Sequence, residues 1–99
     1  MPYVLTFNRS AIENKIAKLS EYLELKNPSF NSFIDWVLDL RDKIKIPHKL
    51  SECAKITDKD IETLAPMALN DPCTPENPKK ASLDDMKLMY RHSLEGKLF

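Results

Sequence analysis

From Ile12 to Leu94, apolar residues recur at steps of three and four, the period of one helix face, and no stretch alternates as a strand would. Ile12, Ile16, Leu19 and Leu23 form one such stripe. Phe30, Phe33, Ile34, Val37, Leu38 and Ile44 form a second, widened by Trp36 and Leu40. Ile61, Leu64, Ala65, Ala68 and Leu69 form a third, and Leu83, Met86, Met89, Tyr90 and Leu94 a fourth. The expected fold is all-α: a small bundle of about four to five helices. The 99 residues suit a single domain over 1–99. Helices are expected near 2–8, 11–24, 28–45, 58–69 and 83–95. A unit this small buries only ~60–70% of its unfolded surface, so each large side chain counts.

The helix boundaries carry their own signals. Pro2 stands where a first turn tolerates proline. Ser10-Ala11-Ile12-Glu13 reads as a capping box, and Asn27-Pro28 as an N-cap followed by proline at the first helical position. Thr57 to Asp60 and Ser82 to Asp85 cap the next two helices, and Gly96 closes the last. Pro47 disfavours helix at Ile46, which sets an end near Lys45. Pro66 lies inside a helical pattern, where a kink or early stop is expected. Asn70 to Pro78 holds three prolines and reads as an extended, stiff loop.

The chemistry-bearing residues are sparse. One glycine excludes every phosphate-cradling loop, since these need several residues without side chains. Fifteen basic residues balance fifteen acidic ones. The lysines at 43, 45, 49, 79 and 80 have acids nearby, and Phe30, Phe33 and Trp36 fall on a core stripe, so no nucleic-acid partner is expected. No apolar run approaches a membrane span, and no basic leader precedes an apolar stretch, so a cytoplasmic location is expected. His48 and His92 lack metal-ligand spacing; one reads as solvated, the other as complementing a helix C-terminus. Cys53 or Cys73 could pair with His48 as a nucleophilic dyad, but no oxyanion nest accompanies them, and Cys53 reads as a partly buried small hydrophobe. Asp58/Asp60 and Asp84/Asp85 occupy first helical turns, where capping explains carboxylates better than glycosidase chemistry does.

One segment is odd for a plain bundle: Asp71-Pro72-Cys73-Thr74-Pro75-Glu76-Asn77-Pro78-Lys79 between two capped helices. It resembles the D-x-C-T-x-x-N-P-R/K loop near the C-terminus of the iron-containing (group III) alcohol dehydrogenases. Upstream, Met1-Pro2-Tyr3-Val4-Leu5-Thr6-Phe7-Asn8 resembles that family's L-P-x-V-x-x-F-N segment. Ile46-Pro47-His48-Lys49-Leu50 is similar to its G-I-P-x-x-L turn, with Lys45 where the family usually has glycine. Asp60-Ile61 matches the D-I/L that opens the helix before the loop. The resemblance covers nearly the whole chain, in order.

The resemblance implies the C-terminal part of the dehydroquinate-synthase-like helical domain. In the family, a separate α/β domain binds NAD(P) through a glycine-rich loop. One aspartate and three histidines hold iron, or in some members zinc. All of these precede the L-P-x-V-x-x-F-N segment, so no position here inherits a catalytic, cofactor or metal role, and the isolated chain is expected to be inactive. The parent would oxidise alcohols or reduce aldehydes with NAD(P). By the same resemblance, Cys73, with Pro72 and Thr74, would line the parent's substrate cavity. Partners implied are the remainder of the dehydrogenase chain and a second copy, met through an apolar face built from Phe30, Phe33, Ile34, Trp36, Val37, Leu38 and Leu40. The competing expectation is that the greasy Tyr3, Val4, Leu5 and Phe7 segment folds back over that stripe. A free-standing helical interaction module without catalysis is the alternative function. An in-frame H-G-x-x-N-A stretch directly upstream of Met1 would favour the dehydrogenase reading.

Overall fold

Five α-helices follow the apolar stripes: α1 (Pro2–Phe7), α2 (Arg9–Tyr22), α3 (Phe30–Lys43), α4 (Asp58–Leu69) and α5 (Leu83–Glu95). Short 3-10 turns lie at Leu50–Glu52 and Thr74–Glu76. The computed structural model describes residues 1–98, so the last position of the expected 1–99 unit lies outside it, and among the described residues there is no strand. The fold is the expected all-α bundle. Its extents are 43 × 29 × 20 Å. The shortest matches two layers of helices, each ~10 Å across with side chains.

α2 packs on α3, α4 on α5, and the short α1 touches α2, α3 and α5. α1 is thus the joint between two helix pairs. It buries Tyr3 and Phe7, while α3 buries Phe30, Phe33, Ile34 and Val37, and α4 buries Ile61 and Ala65. Each large apolar side chain so buried contributes roughly 1.5–3 kcal/mol. The N-terminal segment therefore does fold back on the α3 stripe, and only its far flank stays open: Trp36, Leu40 and Ile44 are 39%, 41% and 57% exposed.

The ends of the helices show which local signals win. Thr57 and Ser82 accept hydrogen bonds from the backbone N–H of Asp60 and Asp85, whose carboxylates return the favour to the caps. Both capping boxes are as expected. Asn27-Pro28 does not start α3. Asn27 takes a left-handed φ of 52° and Ser29 caps, in a reciprocal box with Ser32. The reason is that the Ser29 carbonyl, set by an extended backbone, accepts the buried Ser20 hydroxyl at 2.8 Å.

Nor does Ser10 cap α2. The helix begins at Arg9 after Asn8, and Glu13 binds the Arg9 guanidinium at 2.6 Å instead. Arg9 in the first turn also reaches α3, donating to Asn31 Oδ1 at 3.1 Å and lying 4.9 Å from the centre of the Phe30 ring, so tertiary contacts hold the earlier start. Pro66 does not stop α4, which continues until the Asn70 N–H bonds the Pro66 carbonyl at 3.0 Å. Proline there removes only the bond to Glu62, near the end of the helix, where few remain to be lost.

α2 and α3 close with main-chain bonds that run back over a left-handed residue. Leu25 N–H reaches Ser20 O across Glu24 (φ 54°), and Ile46 N–H reaches Arg41 O across Lys45 (φ 58°). α5 closes over Gly96 at φ 73°. Glycine is the residue best suited to that conformation, and only one of the three closures has it.

Candidate functional site: the groove beside the Cys73 loop

The Asp71–Lys79 segment leaves α4 through a tight set of bonds. Thr74 Oγ1 donates to Ala68 O at 2.6 Å, Thr74 N–H to Asp71 O at 3.0 Å, and Cys73 N–H to the Asp71 carboxylate at 2.8 Å. Pro75 then lies in the 3-10 turn Thr74–Glu76. The loop is therefore not extended throughout, as its prolines suggested. A φ near −65° suits a 3-10 turn as well as an extended chain.

The loop, α1 and α5 border an open groove of about 490 Å³. Its wall includes Cys73 and Thr74 from the loop, Val4 and Phe7 from α1, and Met86 and Met89 from α5. A second hollow of about 290 Å³ adjoins it, sharing Val4, Ala68, Met86 and Met89 and reaching Tyr3 and Tyr90. Cys73 is exposed and its thiol is free. The structure thus brings Cys73 and Thr74 to one concave surface. Pro72 is exposed and does not line it. The lining is mainly apolar with few polar groups, the usual make-up of a small-molecule site.

A larger depression of about 580 Å³, as open as the Cys73 groove, lies beyond the end of α3, among Arg41, Asp42, Lys45, His48 and Glu52. Its charges are mixed, and Arg41 Nη2 is committed to Pro47 O at 2.8 Å. No set of groups converges there on a reacting atom.

The remaining sequence candidates have structural work. His48 is not solvated. Its Nε2 lies 2.8 Å from Gly96 O, and its carbonyl accepts the Tyr3 hydroxyl at 2.5 Å, tying α1 to the end of α5. A nitrogen facing a carbonyl must carry the hydrogen, so Nε2 is a donor and no base for a cysteine. Cys53 is exposed rather than partly buried, with its sulfur 3.9 Å from Lys49 O. Burial pushes the Tyr3 phenol above its ordinary range, with Arg41 opposing and Glu52 adding to the rise. Asp60 and Asp85 sit below the usual carboxylate range because the backbone N–H groups and hydroxyls of Thr57 and Ser82 bond their ionised forms. Their role is capping. Among the described residues, no group of three or more His, Cys, Asp or Glu could hold a metal ion. Nor is any helix long and apolar enough to cross a membrane.

The sequence that folds in this way matches a known family pattern: that of the Fe-containing alcohol dehydrogenase family, C-terminal, over residues 1–94. The chain belongs to the iron-containing alcohol dehydrogenase family. Among curated relatives, the NADPH-dependent butanol dehydrogenase of Clostridium saccharobutylicum is 28% identical over 98 residues. The lactaldehyde reductase of Escherichia coli K12 is 27% identical over 96. Each alignment covers 91% of this chain and 25% of the relative. The chain thus spans about a quarter of the length of these dehydrogenases and reductases, and it matches the C-terminal part of the family.

Family membership also gives meaning to two residues that periodicity and spacing left unremarked. Asn8, which ends the L-P-x-V-x-x-F-N segment, and Asn77, in the N-P of the loop, hydrogen-bond each other through both amides, at 2.7 and 2.8 Å. The family pattern contains both residues, but nothing in their separation announces that they meet.

Proposed function

We propose that these residues form the C-terminal, cavity-lining part of a cytoplasmic dehydrogenase that interconverts small alcohols and aldehydes with NAD(P). The observation that carries this reading is a family match over residues 1–94 whose Cys-Thr loop forms the wall of a concave, largely apolar surface. The names of the relatives, a butanol dehydrogenase and a lactaldehyde reductase, support a short-chain substrate class. Exposed free thiols suit a reducing compartment.

The family's metal does not fit the donors present here. His48 Nε2 is occupied by Gly96 O, and no cluster of three or more ligating side chains forms among the described residues. In this reading, metal and nicotinamide chemistry are supplied by the remainder of a dehydrogenase chain, of whose length these residues match about a quarter. The contribution of these residues is shape: Cys73 and Thr74 with Met86 and Met89 form one wall of the space that a substrate's carbon chain would fill.

The test is Cys73→Phe in the full-length dehydrogenase. A bulkier wall should shift the ratio of kcat/KM for long over short primary alcohols at least about tenfold toward short ones, since each misplaced methylene is worth ~1–3 kcal/mol. A fall in stability with an unchanged alcohol profile would reduce Cys73 to a packing residue. The open flank of α3 supports a second copy as a further partner: Trp36, Leu40 and Ile44 lie at four-residue steps and are all exposed. Light scattering on Leu40→Glu against the parent chain checks it, an unchanged mass telling against pairing through this face.

A further inference from the structure

Asn8 is 5% exposed and stands between α1 and α2 as the cap of both. An asparagine at an N-cap ordinarily turns its side chain back on its own helix and accepts from the second or third N–H. Asn8 does not. Its backbone is αR, at φ −78° and ψ −3°, and its side chain makes no cap bond. The amide goes instead to Asn77, 69 positions away: Asn8 Nδ2 donates to Asn77 Oδ1 at 2.7 Å, and Asn77 Nδ2 donates to Asn8 Oδ1 at 2.8 Å and to the Lys79 carbonyl. A buried amide must find partners, and this one finds them only if the loop comes to it. Beside it the Lys79 ammonium lies 4.2 Å from the centre of the Phe7 ring, a second tie between the same segments.

The loop that bears Cys73 is therefore held at both ends by different elements. Its entry is fastened to α4 through Thr74 and Ala68, and its exit to the α1–α2 joint through Asn77 and Asn8. Between them, Asn77 N–H bonds Thr74 O at 3.1 Å and Glu76 N–H bonds Cys73 O at 3.2 Å, so a shift of Asn77 is passed to Cys73 along one short turn. We infer that the Asn8–Asn77 amide pair is a positioning device, which sets where the Cys73 side chain stands on the groove wall and so the length of substrate the groove admits. The specificity half of this inference rests on the reading of Cys73 as cavity wall; the positional half does not.

The experiment uses the full-length dehydrogenase that carries these residues. Asn77→Ala, Asn8→Ala and the double variant are treated with a small and a bulky maleimide, and alkylation is read by peptide mass spectrometry with Cys53 as internal reference. Each single variant should raise the bulky-to-small rate ratio at Cys73 about fivefold, with the double variant no worse than either single, as for one shared interaction. Asn8→Asp keeps the oxygen to which Asn77 donates but sets a second acceptor against Asn77 Oδ1, so it should raise the ratio at least as far as Asn8→Ala does. Asn77 is half-buried on a loop, so its variant keeps the test alive if Asn8→Ala does not fold. A ratio within about twofold in Asn77→Ala, or effects of the two singles that multiply in the double, would overturn the pair as a positioning device. The same variants should flatten the alcohol chain-length profile. If Cys73 reactivity changes while that profile and the profile of Cys73→Phe both stay fixed, the cavity-wall reading is what fails.

Discussion

α2 and α3 reverse direction through residues 23–29, whereas α4 and α5 are joined by residues 70–82 with prolines at 72, 75 and 78. The short connection is held within itself, by the main-chain bond that closes α2 and by one buried hydroxyl. Left-handed Glu24 and Asn27 make the reversal, and Ser20, fully buried, donates to both Ile16 O and Ser29 O at 2.9 and 2.8 Å. The long connection adds to its main-chain turns two side-chain ties to other elements, Thr74 to α4 and Asn77 to Asn8, and it stands off far enough to leave a groove. A short connection tied within itself brings two helices together and leaves little between them. A long one tied to distant elements is kept at a set distance, and a concave surface forms beside it.

The two pairs differ in core as well. α3 buries four apolar side chains and α4 two, while those of α5 are at most half-buried. Phe30→Ala should then cost about 3–5 kcal/mol, and Ile61→Ala about 2–5. Urea unfolding followed by circular dichroism should show one transition in each variant, because α1 joins the pairs. Two transitions in Phe30→Ala would mean that the pairs unfold independently.

A smaller effect separates the helix closures. Gly96→Ala should cost about 1–2 kcal/mol from the left-handed backbone alone. The new Cβ would also fall 2.9 Å from His48 Cδ2 and 2.8 Å from Lys49 Cγ. Lys45→Gly, at φ 58°, should run the other way and add about 1 kcal/mol, as the left-handed strain is relieved. Thermal melts of the two variants check the opposite signs.

The smallest effect is a pH dependence confined to one pair. Asp60 and Asp85 have carboxyls lowered by their capping bonds, so they contribute stability above the ordinary carboxylate pKa and lose it as pH falls through their folded values. The box of α3 is Ser29 with Ser32 and does not titrate. Hydrogen exchange below about pH 4 should therefore loosen the first turns of α4 and α5 while that of α3 stays protected. Tyr3 works in the opposite sense: its raised phenol contributes stability that is lost as pH climbs above about 10.

Much of this architecture could be read from residue spacing. The Thr57 and Ser82 boxes, the Gly96 closure and the buried faces of α3 and α4 are local, and local patterns survive in the fold. The misreadings arose where a local signal met a tertiary demand. Asn27-Pro28 lost to Ser29 because Ser20 needed an acceptor, and Ser10 lost to Arg9, whose guanidinium reaches Asn31 and the Phe30 ring of α3. Ser20, a polar residue on the nominally apolar side of α2, became the buried residue of that helix while Leu19 and Leu23 stayed 39% and 37% exposed. The place of Cys73 in the loop could be read through family resemblance. The amide pair that holds the loop could not, since no periodicity links positions 8 and 77.

That separation bears on the order in which the molecule assembles. The α2–α3 turn closes over a few residues, whereas Asn8 and Asn77 meet only when the chain between them has been gathered in. Contacts so far apart in sequence are slow to form, because the entropy of closing the intervening chain is spent before they return anything. On a ribosome the first helix pair can form while Asn77 is still unmade. The groove is thus a late product of folding: a chain halted short of that residue has four of its five α-helices and none of the wall that Met86 and Met89 provide.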